Sequence, residues 1–280
     1  MDPVSGVAAA KAVVSAGEIA YKGWGWHTKW RYGTVTITHP HNRAVVYPEW
    51  IELEGVHTDI GQHHILQGVS LRVRADAVTV LLGRNGAGKT TTMRPVMGVL
   101  PPSRGAVRFE GRPIHGLPPH AIARLGIGYV PEGQGIFATL TVEENLRVAM
   151  RAENAESRER MRRVLALFPD LERFRPARAG TLSGGQKQML AIGRALVNPT
   201  RLLLVDEPSK GLAPIVVAHL VGALEAMKRE TTVVLVEQNF AMASRLGDDC
   251  YVMDDGRTVY AGSMAALAAD RDLKQKYLGI

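Results

Sequence analysis

The sequence predicts an α/β fold: a mostly parallel, doubly wound sheet with an antiparallel β subdomain and an inserted helical subdomain. Three observations carry that prediction. Val78 to Leu82, Ile127 to Val130, Leu202 to Val205 and Thr232 to Val236 are short apolar runs of the length expected for strands buried on both faces, and helical patterns long enough for crossovers separate the later ones. The first run leads directly into a glycine-rich loop and then a helix over Lys89 to Val99. Between Thr141 and Leu196 the pattern is almost purely helical, which places the inserted subdomain at about 135–195.

Taken in order, residues 1–49 mix Gly, Trp, His and Tyr without a sustained period of 2 or 3.6 and form an N-terminal extension of unknown structure. It reads as a loosely ordered extension or a start codon placed too far upstream, in preference to a small aromatic-rich appendage that contacts something. All four tryptophans (Trp24, Trp26, Trp30 and Trp50) lie in the first 50 residues, so the main domain is set at 50–280. Ile51 to Leu53, Val69 to Val73 and Val107 to Phe109 are short strands between Gly-containing turns, as antiparallel sheets show. Pro95 falls inside the expected helix, where proline removes a backbone hydrogen bond and costs about 3 kcal/mol or kinks the helix. Tyr251 to Tyr260 reads as a hairpin turning at Asp255-Gly256.

A chain of 280 residues that is 46% hydrophobic and 22% charged excludes collagen-like, disordered and disulfide-scaffold classes. The net charge of +7 raises the question of a polyanionic partner. The most basic stretch, Arg151 to Arg178, balances eight arginines with five carboxylates, so it reads as a salt-bridged helical face and no nucleic acid is expected. Cys250 is the only cysteine, which rules out an intramolecular disulfide and points to a reducing cytosol. No run approaches the ~18–20 apolar residues of a membrane-spanning helix, and the start lacks a secretory pattern. His39, His41, His63 and His64 lack acids or cysteines at ligand spacing and read as surface histidines.

The loop Gly83-Arg84-Asn85-Gly86-Ala87-Gly88-Lys89-Thr90, followed by Thr91, matches G-x-x-x-x-G-K-[ST] in full. Its glycines let backbone N–H groups wrap phosphates, Lys89 brings a cation to the β- and γ-phosphates, and the Thr90 hydroxyl can ligate Mg²⁺. The helix N-terminus adds partial positive charge. Leu202 to Glu207 is a buried strand delivering two acids to its C-terminal end: Asp206 to hold Mg²⁺ through water, and Glu207 to polarise an attacking water as general base. Leu182-Ser183-Gly184-Gly185-Gln186 would make a second anion site at the start of a helix over Gln186 to Val197.

Placed 16 residues before that acidic strand (202 − 186), this pentapeptide resembles the signature of ATP-binding cassette (ABC) proteins, and residues 50–280 resemble the ATPase subunit of an ABC transporter. The resemblance implies a P-loop NTPase with a RecA-like core that hydrolyses ATP with Mg²⁺. It implies a head-to-tail dimer in which each ATP lies between the P-loop of one subunit and the signature of a second ATPase, in a homo- or heterodimer. Closing and reopening of that dimer would drive two transmembrane permease subunits, fed by an extracytoplasmic solute-binding protein, from the cytoplasmic face of the inner membrane. Tyr129 to Phe137, Leu140 to Leu146, Asp206 to Pro214, Val234 to Asn239 and the terminal Tyr277-Leu-Gly look like the shorter ATPase of branched-chain amino acid uptake systems. Urea and amide importers are the alternative, followed by a soluble ABC ATPase acting on nucleic acid.

Some positions depart from the general ABC pattern. Glu132 stands where most cassettes have the glutamine that links Mg²⁺ to the membrane contact, Gln238 where most have the switch histidine, and Ala213 where an aspartate is usual. These three look typical of the branched-chain subfamily. A carboxylate still contacts metal and an amide still donates to a γ-phosphate, but Gln238 cannot titrate near neutral pH. Ile60 holds the position before Gly61 where an aromatic commonly stacks on adenine, and offers apolar contact without π-stacking. Phe137, Leu140, Glu143 and Glu144 fall where the family has its groove for the membrane subunit.

Overall fold

The computed structural model describes the backbone of residues 12–15, 18–21, 26–31, 34–38 and 44–280 except 229, and side chains from Trp50 onward with the same exception. The first strands are β1 (Ala12–Ser15), β2 (Glu18–Tyr21), β3 (Trp26–Arg31), β4 (Thr34–Thr38), β5 (Ala44–Ile60), β6 (His63–Arg74) and β7 (Val78–Leu82). Then come α1 (Lys89–Val96), β8 (Arg104–Phe109), β9 (Arg112–Pro113), α2 (Pro119–Arg124) and β10 (Ile127–Val130). A helical stretch follows: α3 (Val142–Ala149), α4 (Ala155–Leu167), α5 (Pro169–Arg173) and α6 (Gly184–Leu196). The chain ends with β11 (Leu202–Asp206), α7 (Pro214–Met227), β12 (Thr232–Val236), α8 (Phe240–Leu246), β13 (Asp249–Asp254), β14 (Arg257–Ser263), α9 (Met264–Ala269) and α10 (Arg271–Leu273).

One sheet has the order β10-β11-β12-β7-β13-β14, parallel throughout except for the antiparallel β14 at its edge. Its inner strands explain their unbroken apolar sequences. On β11, Leu203 and Val205 enter one core and Leu202 and Leu204 the other; on β12, Val233 and Leu235 face the first core and Val234 and Val236 the second. Both faces are covered, so side chains of either parity must be apolar. The first core lies against the helical side, with Leu146, Val164, Leu171 and Leu190 all nearly or fully buried. The second lies between the parallel sheet and the antiparallel sheet of β5, β6 and β8, with Val69, Val73 and Val107 fully buried. Burying a leucine or valine side chain in this way contributes roughly 1.5–3 kcal/mol each.

The antiparallel strands are longer than the sequence suggested. Around Gly55 the β5–β6 pairing shifts register between Leu53 and Val56 and again before His57, so the alternation of apolar residues loses phase and only its ends are readable. Gly55 has φ +55°, and its carbonyl oxygen lies only 2.3 Å from where a Cβ on Gly105 would stand; only glycine permits that approach. Ahead of Trp50, β1 to β4 form an antiparallel meander that joins β5, with Trp30 opposite Val35 and Val35 opposite Tyr47. Strands of four to six residues are too short for a periodicity window to detect. Strand β5 runs through position 50 without a break.

Helix α1 ends at Val96 rather than continuing to Val99, which corrects the sequence expectation. Pro95 is buried in the last turn, and the helical bonding passes it, with the Met97 N–H donating to the Met93 carbonyl (3.1 Å). Gly98, at φ +69°, then turns the chain away. The hairpin β13–β14 turns where expected, with Asp255 at φ +43° and Gly256 at +70°, as a type I′ turn requires. Across the helical stretch, Arg160 pairs with Glu156 and Arg162 with Glu159, a salt-bridged face. His63 and His64 are exposed, and His64 stacks on His57; His39 and His41 lie outside the described residues.

Candidate functional site

The site forms at the carboxyl ends of the parallel strands, where open α/β sheets bind ligands. The loop leaving β7 adopts left-handed or extended backbone at Gly83 (φ +149°), Gly86 (+83°) and Gly88 (+97°). A Cβ on Gly83 would stand 2.3 Å from the Met253 carbonyl oxygen, so this turn needs glycine for space as well as conformation. Gly88 caps α1 without a side chain, which leaves the first helical N–H groups to face an anion. Arg84, Asn85 and Gly86 are exposed at the rim, Ala87 is buried, and Thr91 is partly buried on the first turn. Lys89 is only 4% exposed and donates to the carbonyls of Gly83 (2.9 Å) and Arg84 (3.0 Å), curling the loop around its own ammonium.

Strand β11 delivers the acids. Asp206 is fully buried and accepts hydrogen bonds from the Thr90 hydroxyl (3.0 Å) and the Tyr129 hydroxyl (3.3 Å). Burial pushes its carboxyl above the ordinary value, against the lowering effect of those two bonds; the neighbouring charges of Glu207 and Glu132 add to the rise. Glu207 holds φ +44°, fixed by its N–H donating to the Val236 carbonyl (2.9 Å). Its carboxylate lies 3.5 Å from the Lys89 ammonium and 3.5 Å from that of Lys210, and accepts from the Gln238 amide at 2.5 Å. Gln238 also donates to Asn85 Oδ1 (2.6 Å), so the switch position touches both the P-loop and the second acid. Glu132 joins through Lys210, 2.6 Å away.

The structure therefore brings Asn85, Lys89, Thr90, Asp206, Glu207 and Gln238 together, with Glu132 at their edge. Buried Asp206 beside the Thr90 hydroxyl is an oxygen donor set of the kind a hard divalent cation takes, and its raised carboxyl marks a place where added positive charge would be stabilising. Sequence reading missed Tyr129 and Lys210. The signal for Tyr129 is a phenol at the register position opposite Leu204 in an otherwise apolar pairing; that for Lys210 is a cation three residues after Glu207.

The signature stands at the start of α6. Ser183 caps that helix: its hydroxyl accepts from Gln186 N (3.3 Å) while Gln186 Oε1 accepts from Ser183 N (3.0 Å), a capping box. Leu182 is buried in the first core, and Ser183 and Gly184 are exposed. Gly185 is needed for packing, because a Cβ there would meet Val216 Cγ1 at 2.2 Å. Among the described residues, none of the signature's hydrogen bonds reaches the P-loop. Ile60 lies at the exposed end of the β5–β6 hairpin. Phe137 is exposed under the Arg194 guanidinium, which itself lines a cavity of about 360 Å³. Glu143 is engaged by Arg175 and Arg147, and Glu144 closes the capping box of α3 with Thr141, so both glutamates have structural work within the chain.

This fold and site define a nucleotide-hydrolysing cassette. The family model described as ABC transporter matches residues 66–210, and the chain belongs to that family. It is 42% identical over 231 residues to the high-affinity branched-chain amino acid transport ATP-binding protein BraG of Pseudomonas aeruginosa, covering 82% of this chain and 99% of that one. It is 33% identical over 219 residues to the lipopolysaccharide export system ATP-binding protein LptB of Escherichia coli K12, covering 77% and 91%. Among solved structures, a nucleotide-free ATP-binding cassette from an ABC transporter matches with a TM-score of 0.73 at 25% identity, over 83% of this chain and 99% of that one. The chain is an ABC ATPase, a class that hydrolyses ATP, dimerises and works with membrane permease subunits. Among the described residues no helix is long and apolar enough to cross a membrane.

Proposed function

We propose that this chain is the ATP-hydrolysing subunit of an importer for branched-chain or similar amino acids, bound at the cytoplasmic face of the inner membrane to two permease subunits. An extracytoplasmic solute-binding protein supplies the system. The similarity to the Pseudomonas aeruginosa protein across nearly all of that protein's length carries the reading. A second reading, the ATPase of an exporter, is favoured by the similarity to lipopolysaccharide export proteins.

In this reading the N–H groups of Gly83 to Thr91 cradle the phosphates of ATP, and Lys89 transfers its ammonium from two loop carbonyls to the β- and γ-phosphates. Thr90, Asp206 and Glu132 would hold Mg²⁺, whose charge would offset the negative charge of the phosphates. Glu207 takes the proton of the attacking water, and Gln238 keeps one amide N–H on Glu207 while the other leaves Asn85 to donate to the γ-phosphate. The surface of Ile60 lies against the base. Leu182 to Gln186 act on the ATP of a second ATPase in a head-to-tail dimer; among the described residues none of their hydrogen bonds reaches the P-loop of their own chain.

The test is reconstitution in vesicles with candidate permease subunits and a candidate solute-binding protein. ATP-driven accumulation of labelled leucine, abolished by omitting this subunit, is the expected result. Hydrolysis unaffected by leucine-loaded binding protein, together with ATP-driven efflux, would overturn the import reading in favour of export.

A further inference from the structure

The residue before Gln238 has no part in the chemistry described above, yet it occupies an unusual position. Glu237 is 2% exposed. Its Oε1 accepts from the Ser209 N–H (3.0 Å), and its Oε2 accepts from the N–H groups of both Gln238 (3.0 Å) and Asn239 (3.0 Å). Among the described residues no cation is paired with it, so backbone dipoles alone replace its hydration. Its own N–H donates to the Leu81 carbonyl (3.1 Å), which anchors it to the end of strand β7 just before the P-loop.

The two oxygens thus serve two different segments. One fastens the loop that follows Glu207, and the other fastens the loop that carries Gln238. These segments are 28 residues apart in sequence and are joined here by a single buried side chain. We propose that Glu237 is a positioning residue for hydrolysis: it locks the loop after the acidic pair to the switch loop, so that the Gln238 amide meets Glu207 at 2.5 Å when the attacking water is in place. It touches no substrate and acts through Gln238. The inference rests on the roles proposed above for Glu207 and Gln238.

Glu237→Gln is the decisive change because it keeps size and shape. A carboxamide has one accepting oxygen, and its NH₂ would face an N–H donor, so it can satisfy Ser209 or the Gln238–Asn239 pair but not both. The experiment is a double-mutant cycle in the full chain with Glu237→Gln, Gln238→Ala and both, read by steady-state hydrolysis of Mg-ATP, by the Kd of a fluorescent ATP analogue and by thermal melting. The expected result is a fall of about tenfold in kcat for Glu237→Gln with the nucleotide Kd within twofold of the parent, and no more than a further twofold loss when it is added to Gln238→Ala. Equal losses in both backgrounds would show a merely structural role and overturn the inference alone. A Gln238→Ala variant with parental kcat overturns the role of Gln238 and the inference with it. If Glu237→Gln does not fold, Glu237→Asp, which keeps both oxygens on a shorter arm, gives the same cycle: a loss that disappears in the Gln238→Ala background supports the proposal, and an additive loss overturns it.

Discussion

Replacing Glu207 by glutamine removes the proton acceptor together with its negative charge, while the size and shape of the side chain are kept. Glu207 is 8% exposed and already receives the Gln238 amide at 2.5 Å on Oε1, so a glutamine oriented with its oxygen there retains that bond and the cavity volume. The Lys89 and Lys210 ammonium groups, each 3.5 Å away, lose a counter-charge and become freer to meet the phosphates of ATP. Binding should hold or tighten while chemistry fails. A positioned general base contributes about 10²–10⁴ in rate, which is roughly 2.7–5.4 kcal/mol of barrier. The assay pairs phosphate release under single-turnover conditions with size-exclusion chromatography in Mg-ATP. The expected outcome is turnover reduced by at least a hundredfold and a dimer that persists on the column. Turnover within threefold of the parent would refute the assignment of Glu207 as base, since nothing else in the substitution offsets the loss of a proton acceptor.

Lys89→Ala removes a buried ammonium that organises the loop through Gly83 and Arg84, and nucleotide affinity should fall at least tenfold, the scale of one charge-assisted hydrogen bond (~1.5–3 kcal/mol); isothermal titration with ATP checks it, and unchanged affinity refutes the phosphate cradle. The Arg175 guanidinium, bonded twice to Glu143 at 3.1 Å, holds that carboxyl below the usual range, so the pair's stabilisation is present above the ordinary glutamate pKa of about 4.3 and is lost as pH falls through the lowered folded value. Glu143→Gln should therefore melt lower than the parent near neutral pH, by at most about 1 kcal/mol, and the gap should narrow as pH falls below the ordinary glutamate pKa of about 4.3 and close once it is beneath the lowered folded value. Deleting residues 1–49 leaves the Trp50–Ile60 part of β5, which pairs with β6 and β8 and sets Trp50 edge-to-face against Phe109, so ATPase activity within twofold of the full chain is expected; its abolition would show that the amino-terminal strands support the cassette.

The legible parts of this protein are those whose physics is local. The phosphate loop is one contiguous stretch, so its glycines, its lysine and the helix start behind it are read together. Likewise the inner strands announce themselves because burial on both faces leaves no room for polar alternation. Elsewhere local signals fail for identifiable reasons. The β5–β6 pair loses its alternation where bulges at Gly55 shift the register, and the short strands before it never fill a window long enough to show a period. Pro95 lies inside the last turn of α1, and the left-handed Gly98 beyond it, not the proline, turns the chain away.

By itself, then, the sequence determined a strand, loop and helix that bind phosphate, a second strand ending in two acids, and a capped serine-glycine helix start. Only the tertiary structure decided how these meet. Thr90 reaches Asp206 across 116 residues and Gln238 reaches Asn85 across 153, because the sheet order places β11, β12 and β7 side by side. Tyr129, Lys210 and Glu237 join the site for the same reason. Strand order is set by which apolar faces pack together over the whole chain, and no local stretch of residues contains that information.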